Sequence, residues 1–461
     1  MMRLTHNRVG GSRVLALGVL LAMVMAAGMV LAAQPAHAST TFYVNSTEDH
    51  ADANLEGDAC DTGYTVDRDG DGQEDEAECA LRAAINQANY TSGADTIKFA
   101  IPGGGVKTID VGESGLGGLP AITDQVTIDG YTQPGASPNT KAVGNDAVLK
   151  VELNGAAVSG GNGLDIIGTS STVKGLVINR WRKAGIRIEG SGASGNKVTG
   201  NYIGTDDSGT QALGNSYGVY LYEAPNNTIG GTTPAERNVI SGNNGNGVYI
   251  EGSDATGNRI TGNYLGTDKN GTAPLGNFSP GILINGPSNN TIGGALAEAG
   301  NVISANGGAN YEGVAIYGDG ATGNRILSNS IFSNGAIGID LNADGPTAND
   351  PGDTDTGANG SQNKPVIRLA KTGDGKTSVN ARLNSTPNKT FRVQFFSNPS
   401  GTDEGKKLIG QRSVTTDESG NVTFSFSPVQ KVGVGRTITS TATGPGGNTS
   451  EFSAPRTVVS S

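Results

Sequence analysis

The sequence contains little of what many enzymes use for acid–base or metal chemistry. Only three histidines occur among 461 residues, and two of them, His6 and His37, lie in an N-terminal segment that we expect to be removed. His50 is therefore alone, which argues against a catalytic histidine pair or a histidine-rich metal site. Leucine-rich helical periodicity is nearly absent, whereas glycine accounts for 73 residues. These features favour an all-β protein over an enzyme of mixed α/β type.

Positive charge is also scarce in this chain. Lysine and arginine together number 32 against 43 aspartates and glutamates, so the formal net charge is −11. A chain of this charge repels nucleic acids and anionic lipid surfaces. We therefore expect neither partner, except through a local basic patch.

The one long apolar run lies at the N terminus. Three arginines precede an apolar segment from Val14 to Ala33, and an Ala-x-Ala cleavage site ends at Ala38. This order is typical of a secretory signal peptide, which we place at residues 1–38. The alternative is a retained membrane anchor, because about twenty apolar residues can cross a bilayer. No second run of this length follows, so we expect a secreted, extracellular or cell-surface chain without a membrane span after cleavage.

Two cysteines remain after that segment, Cys60 and Cys79. In an exported chain such a close pair predicts a disulfide bond, whereas two free thiols would be disfavoured in an oxidising compartment. Closing a loop of this length stabilises the folded state by about 3 kcal/mol in the chain-entropy description.

The cysteines enclose an acidic segment, DRDGDGQEDEAE, at residues 67–78. It matches the calcium-loop pattern D-x-[DN]-x-[DN]-G-x5-E, with Gly72 at the sharp turn. Calcium prefers about six to eight oxygen ligands, and this spacing wraps oxygens around one point. The alternative is a solvated acidic loop. The predicted Ca²⁺ cofactor would be structural, and its predicted ligands are Asp67, Asp69, Asp71, Gln73, Asp75 and Glu78.

The segment CALRAAINQAN, from Cys79 to Asn89, is the only good helix candidate. Leu81, Ala84, Ile85 and Ala88 share one helical face. A lone amphipathic helix ahead of a repetitive β region predicts a cap over the first exposed strand edges.

Long internal repeats follow this helix. The segment GNRITGNYLGTDKNGTAPLGN at residues 257–277 nearly repeats the segment at residues 195–215, and strand-like segments recur every 22 to 34 residues. Short strands separated by Gly, Asn and Pro turns are typical of a parallel β-helix, in which each coil pairs with the coils above and below. Each repeating unit of about 62 residues would then span two coils.

The repeats also predict which side chains point inward. Five pairs of aliphatic residues are expected to line the core: Ile186 and Ile188, Val219 and Leu221, Val248 and Ile250, Ile282 and Ile284, and Val314 and Ile316. Two sets of asparagines are expected to stack along the axis, Asn201 with Asn263 and Asn329, and Asn238 with Asn301.

The chain resembles exported bacterial right-handed parallel β-helix proteins of the CSLREA group. The resemblance is carried by CALRAAINQAN, by the GNYIGTD and RNVISGN repeats, and by the tail TDESGNVTFSF with GPGGNTSEFS. Ala80 and Ala83 replace the Ser and Glu of the CSLREAI box. The resemblance implies the fold and export but no single activity, since proteins of this fold include polysaccharide lyases, polygalacturonases and adhesins.

The predicted domain order follows from these segments. A capping region with the first coils at residues 39–160 precedes the β-helix repeats at residues 161–342. An acidic linker at residues 343–363 is either flexible or a second calcium site, formed by Asp344, Asp350, Asp353 and Asp355. Residues 364–461 read as about seven strands, which suits an Ig-like β-sandwich. The predicted fold class is thus all-β: a right-handed parallel β-helix with an N-terminal capping helix, followed by a C-terminal β-sandwich.

Outward-facing positions are the place to look for a ligand site, because they vary between coils on a rigid scaffold. Tyrosines flanked by carboxylates form one such strip, with Tyr220, Tyr222, Tyr249 and Tyr317 as predicted ligand-binding residues. Aromatic rings offer flat apolar faces to sugars, and phenolic hydroxyls offer hydrogen bonds. Exposed tyrosines are also good strand residues without any ligand.

A basic turn is the second candidate. It holds Arg180, Trp181, Arg182 and Lys183, followed by Arg187, and contains the only tryptophan. Basic groups beside an aromatic ring could bind a uronate or sulfate, and a lyase could use Lys183 or Arg187 as its base. The alternative is a solvated turn whose tryptophan fills the helix side.

Two classes of function remain open from the sequence. The first is a non-catalytic polysaccharide-binding protein or adhesin, and the second is a polysaccharide lyase or glycoside hydrolase. For a hydrolase, the weak candidates are Glu189 and Glu251, two coils and about 9.6 Å apart along the axis. That distance is near the upper end of the carboxyl separation in inverting glycosidases, roughly 6.5 to 9.5 Å. The lack of an unrepeated acidic trio favours the binding protein.

Overall fold

The computed structural model describes residues 39–57, 59–67, 72–342 and 344–461. The predicted signal peptide at residues 1–38 lies outside these ranges, as do Asp69 and Asp71 of the acidic loop. In the described ranges, no helix is both long and apolar enough to span a bilayer.

Three parallel sheets form the body of the molecule, because each coil contributes a short strand to each sheet. Sheet A has nine strands: Thr41–Val44, Asp95–Phe99, Val126–Asp129, Thr172–Lys174, Lys197–Thr199, Thr228–Gly230, Arg259–Thr261, Thr291–Gly293 and Arg325–Leu327. Sheet B has eight: Lys107–Asp110, Val151–Asn154, Val177–Asn179, Tyr202–Ile203, Val239–Ile240, Tyr264–Leu265, Val302–Ser304 and Ser330–Phe332. Sheet C has seven: Leu164–Ile166, Ala184–Glu189, Tyr217–Tyr222, Val248–Glu251, Ile282–Asn285, Val314–Tyr317 and Ile339–Leu341. The predicted parallel β-helix is confirmed.

The aliphatic ladders of sheet C follow the predicted register. Ile186 pairs with Val219, which pairs with Val248, and the row continues through Ile282 to Val314. All five side chains are fully buried. Side chains alternate between the two faces of a strand, so the residues between them point outward and are available to a ligand.

The asparagines form one ladder where the sequence predicted two. Asn201 donates from Nδ2 to Asn238 Oδ1 at 3.2 Å, Asn238 to Asn263 at 2.9 Å, Asn263 to Asn301 at 3.0 Å, and Asn301 to Asn329 at 2.9 Å. The two predicted sets therefore alternate along a single stack. The correction has a simple cause, because the structural repeat is one coil, whereas the sequence similarity is strongest at every second coil.

The predicted helix is confirmed at Leu81–Tyr90. It contacts the first two strands of sheet A and buries its apolar face, as expected of a cap. Arg82 is buried as well, which the helical pattern did not predict. Its guanidinium forms two 2.8 Å contacts with Asp49, so this buried charge has a partner.

The predicted disulfide is also present, between Cys60 and Cys79. It closes a segment that contains a short antiparallel hairpin of Thr65–Val66 and Glu76–Ala77. The described part of the chain also contains four short 3-10 turns: Gly130–Thr132, Pro234–Glu236, Ala297–Ala299 and Ala358–Ser361.

The C-terminal part is a β-sandwich of two antiparallel sheets with eight strands, where the sequence suggested about seven. One sheet contains Asn421–Phe426, Lys376–Asn384, Val366–Gly373 and Val459–Ser460, the last pairing in parallel. The other contains Lys407–Thr415, Thr390–Asn398, Thr437–Thr443 and Arg456–Thr457. The sandwich packs on the last coils of the β-helix, where Asn448 and Thr449 accept hydrogen bonds from Gly323 and Ile326 backbone amides. This contact creates a cleft between the two parts.

Candidate functional site

The tyrosine strip lies on the outward face of sheet C. Tyr220 pairs in register with Tyr249, and Tyr222 pairs with Glu251. All three tyrosines are half-buried, because each ring packs against its neighbours and keeps one side in solvent. Tyr217, at the start of the same strand, belongs to this group although the sequence analysis did not select it. It directly precedes Gly218, and as the first residue of the strand it carries no repeat signal.

The rings contact one another in a compact cluster. Tyr220 and Tyr249 stack with centroids 5.0 Å apart and an interplanar angle of 11°. Tyr217 lies 5.8 Å from Tyr220 and 5.6 Å from Tyr249, and Tyr222 lies 5.9 Å from Tyr220. We call Tyr217, Tyr220, Tyr222 and Tyr249 the tyrosine cluster. Tyr317 lies in register with Asn285 and makes no ring contact with this cluster, so it stands apart by more than one coil.

Polar groups hold the cluster in place. The Tyr220 hydroxyl donates to Glu251 Oε2 at 2.5 Å, and Asn285 Nδ2 donates to the Tyr249 hydroxyl at 3.2 Å. Partial burial and the hydrogen bond to the anionic Glu251 both raise the pKa of Tyr220. Burial likewise raises the pKa of Tyr249, to about 12. These phenols therefore stay neutral and keep their hydroxyl hydrogens at any ordinary pH.

Glu189 and Glu251 occupy equivalent outward positions two coils apart, each in register with Tyr222, as predicted. Glu189 forms an ion pair with Arg187, which also lies 3.8 Å from Asp165. Glu251 accepts from Tyr220. Both carboxylates are already engaged by neighbouring groups of the protein, and their remaining lone pairs are hydrogen-bond acceptors for a ligand.

The basic turn lies between sheets B and C. Arg182 and Lys183 are exposed, and the Arg180 guanidinium lies 3.4 Å from Glu152 Oε1. A shallow groove of about 550 Å³ runs past Arg180 and Arg182. Arg182 therefore remains open to an anionic ligand.

Trp181 is placed differently from the predicted ligand contact. It is 1 % exposed, donates from Nε1 to the Leu153 carbonyl at 3.2 Å, and packs so closely on Gly155 that a Cβ there would lie 2.3 Å from the indole. The ring fills the core of the coil, which corrects the prediction that it faces a sugar. An apolar indole with one satisfied N–H gains more from burial than from an exposed turn.

The acidic loop is described only in part. Gly72 has a φ of +88° and donates to Asp67 Oδ2 at 3.0 Å, which agrees with the predicted sharp turn. Glu78 is 2 % exposed and its Oε2 lies 2.5 Å from Thr62 Oγ1 and 2.8 Å from His50 Nδ1. Although burial opposes it, hydrogen bonding from Ser46, Thr62 and His50 lowers the pKa of Glu78. Oε2 is therefore already engaged by the protein, whereas a bidentate calcium ligand would use both carboxylate oxygens.

A second acidic group lies in the segment that joins the β-helix to the sandwich. Asp350, Asp353 and Asp355 each place a carboxylate oxygen within 4.8 Å of the others. Asp344, which the sequence grouped with them, does not belong to this triplet. The segment around them is hydrogen-bonded, for example from Asn363 to Asp353 Oδ1 at 2.6 Å. Oxygen ligands of this kind suit calcium.

Comparison with known proteins finds solved structures that are similar to this chain at low sequence identity. No protein-family profile matches the chain, and no curated protein matches it in sequence. Among solved structures, it is similar to tailspike protein 2 of Escherichia coli O157:H7 bacteriophage CAB120, with 12% identity, a TM-score of 0.25 and coverage of 76% of this chain. The match spans 56% of that tailspike, so this chain corresponds to little more than half of it.

Two further viral proteins show the same kind of likeness. ORF18 of Geobacillus virus E2 has 11% identity and a TM-score of 0.30 over 82% of this chain and 72% of its own. Tailspike gp49 of Acinetobacter baumannii bacteriophage Fri1, described as a capsular polysaccharide depolymerase, has 13% identity and a TM-score of 0.21 over 84% of this chain and 72% of its own.

Proposed function

We propose that this chain is an exported β-helix protein that binds an extracellular polysaccharide through the tyrosine cluster on sheet C. The observation that carries the proposal is the stacked, half-exposed pair Tyr220 and Tyr249, fixed by Glu251 and Asn285. Stacked rings present apolar faces to the C–H faces of sugars, while the carboxylate and amide beside them satisfy sugar hydroxyls.

The fixed geometry supports binding over mere strand filling. A ring that is already ordered loses less conformational entropy when a ligand binds, since about 0.5 to 1.5 kcal/mol is needed to immobilise each free side chain. Tyrosines that only filled a strand surface would not need a charged acceptor for their hydroxyls. The same surface is rigid because three stacked sheets support it.

The finer assignments belong to this proposal. Export follows from the segment at residues 1–38, and membership of the CSLREA group follows from CALRAAINQAN and the repeats. The C-terminal sandwich would serve as an Ig-like module that spaces or binds. A structural calcium at the acidic loop, with Asp67, Gln73 and Asp75 among its ligands, would stabilise the capped end.

The alternative function is a polysaccharide lyase or glycoside hydrolase on the same face. Glu189 and Glu251 would be its carboxylates and Lys183 or Arg187 its basic groups. Because Arg187 pairs with Glu189 and Tyr220 donates to Glu251, the binding function is favoured.

The test is a binding titration of the purified mature chain against neutral and acidic polysaccharides, with simultaneous assays for reducing ends and unsaturated products. Tyr249→Ala should weaken binding at least tenfold. Tyr90→Ala is the matched control, because Tyr90 is 58% exposed at the helix end and belongs to no ring cluster. Equal affinity of the wild-type and Tyr249→Ala chains would refute the proposal, and product release lost in both Glu189→Gln and Glu251→Gln would establish the enzyme instead.

A further inference from the structure

One outward row of sheet A carries a basic residue on every second coil. Lys197 pairs with Thr228, Thr228 with Arg259, Arg259 with Thr291, and Thr291 with Arg325. Neighbouring strands lie about 4.8 Å apart, so successive basic residues are about 9.6 Å apart along the axis. The threonines between them place one hydroxyl on each intervening coil. This row contains no carboxylate from Lys197 to Arg325.

These basic groups lack carboxylate partners. Lys197 and Arg259 are exposed and Arg325 is half-buried, yet none of the three forms an ion pair with any described residue. The chain has 43 acidic residues, so partners are not scarce. Cations that stay unpaired in so acidic a protein create a local positive field, to which an anion in solution is drawn.

The row ends in the cleft between the β-helix and the sandwich. This cleft has a volume of about 520 Å³ and is lined by Arg259, Arg325 and, from the sandwich, Arg392. Arg392 lies in register between Ser413 and Thr443, so hydroxyls again flank an arginine. No aspartate or glutamate is among the described residues that line the cleft.

The backbone positions one of these arginines. Gly447 has a φ of +98°, and a Cβ at this residue would lie 2.8 Å from Arg325 Cζ. The guanidinium therefore lies close to the glycine backbone. A side chain at residue 447 would crowd both this guanidinium and the Gly323 carbonyl, so glycine is required at this position.

We propose that Lys197, Arg259, Arg325 and Arg392 form a binding track for an extended anionic polysaccharide that ends in the cleft. Guanidinium groups bind carboxylates and sulfates through paired hydrogen bonds. The threonine hydroxyls bond to sugar hydroxyls between the charged groups. The preference for an anion depends on the arginines alone, whereas the assignment to a glycan rests on the proposed function.

The spacing of the track distinguishes a polysaccharide from a nucleic acid. Duplex DNA carries a charge about every 1.7 Å, much denser than one cation per two coils. Single-stranded nucleic acids also need stacked aromatic residues, and this row has none. A polyuronate such as alginate carries one carboxylate on each sugar, which is still sparser than the charge of duplex DNA, so the track can pair with the carboxylate of about every second sugar.

The experiment measures affinity for alginate, neutral dextran and inorganic polyphosphate at low and moderate salt. Alginate should bind the wild-type chain, and dextran should bind this track at least tenfold more weakly. Arg259→Gln and Arg325→Gln should each weaken alginate binding about five- to tenfold, with a shallower dependence on salt.

Arg382→Gln is the control, since Arg382 is exposed on the other sheet of the sandwich and removes the same charge outside the cleft. The proposed track would be refuted by any of three results. Arg382→Gln could lose as much alginate affinity as the cleft variants, both cleft variants could bind alginate as well as wild type, or the chain could bind polyphosphate but not alginate. The proposed function is tested separately, by the polysaccharide affinity of the Tyr249→Ala chain. Circular dichroism of each variant tests whether the substitution leaves the fold intact.

Discussion

Tyr220 donates its phenolic hydrogen to Glu251 on the next coil, over a distance of 2.5 Å. Its ring is at the same time stacked on Tyr249, with which it is paired in register. The hydrogen bond crosses from one strand to its neighbour, so it fixes the ring relative to the carboxylate and to the stacked partner together. The surface is therefore ordered before any ligand arrives.

We predict that Tyr220→Phe weakens polysaccharide binding by about three- to tenfold, because the ring face remains but the hydroxyl and the fixed position of Glu251 are lost. Tyr220→Ala should weaken it further. Isothermal titration calorimetry measures both. Identical affinities for the wild-type, Phe and Ala chains would show that the ligand binds elsewhere.

The asparagine ladder should be needed for stability. Asn263 is fully buried and its Nδ2 donates to Asn301 Oδ1 and to the Ile229 carbonyl. Asn263→Leu removes these two donor contacts and also the Oδ1 that accepts from Asn238 Nδ2, so we expect a loss of roughly 1 to 3 kcal/mol in the free energy of unfolding. Denaturant titration measures this loss.

Asn244→Leu is the matched control, because Asn244 is exposed on the same repeats and should change stability by less than about 0.5 kcal/mol. If Asn263→Leu were as harmless as this control, the ladder would contribute nothing to stability.

A buried acid at the end of sheet C should make stability depend on pH. Asp340 is 2 % exposed, and its Oδ1 has no hydrogen-bond partner among the described residues. Burial raises the pKa of Asp340 to about 7, and the negative charges of Glu312, Glu451 and Asp344 add to this effect. Glu451 in turn is paired with Lys364 at 2.6 Å.

The folded state therefore prefers neutral Asp340, whereas the unfolded chain releases this proton near pH 4. The stability from this group is complete below about pH 4 and is lost as the pH rises to about 7, by roughly 2 to 4 kcal/mol. Asp340→Asn should remove this loss, so the variant gains stability relative to wild type across that range. Urea unfolding at several pH values measures the free energy of unfolding of each chain, with the exposed Asp254→Asn as control. If the free energy of unfolding depended on pH in the same way in wild type and Asp340→Asn, the prediction would be wrong.

Calcium should stabilise the chain if either acidic group binds it. We predict that EDTA lowers the Tm at matched ionic strength and that added Ca²⁺ restores it. The double variant Asp69→Ala and Asp71→Ala should abolish the part of this Tm change that comes from the acidic loop at residues 67–78. Asp355→Asn should abolish the part that comes from the triplet with Asp350 and Asp353. Differential scanning calorimetry gives the Tm of each chain. A wild-type Tm that EDTA leaves unchanged would exclude both sites.

The sequence by itself determined the stacking of the coils and the identity of the core. Ile186 and Ile188 recur as aliphatic pairs at each coil, and an alternating pattern of this kind can be buried only if the strands align in register. The disulfide and the capping helix were equally predictable, because two cysteines and one amphipathic segment leave few alternatives. These features are local or periodic, and such features can be recognised in a sequence without knowledge of distant contacts.

Tertiary structure alone decided which polar side chains meet. The burial of Trp181 depends on the space beside Gly155 in the preceding coil. The contacts of the Glu78 carboxylate depend on His50 and Thr62, which lie elsewhere in the sequence. The basic row left a trace in the repeats NKVTGN, NRITGN and NRILSN, but nothing there places Arg392 opposite Arg325. That cleft arises only when the sandwich packs on the last coils, because its two walls come from separate, non-repeating parts of the chain, and their relative position is set by contacts that no periodicity encodes.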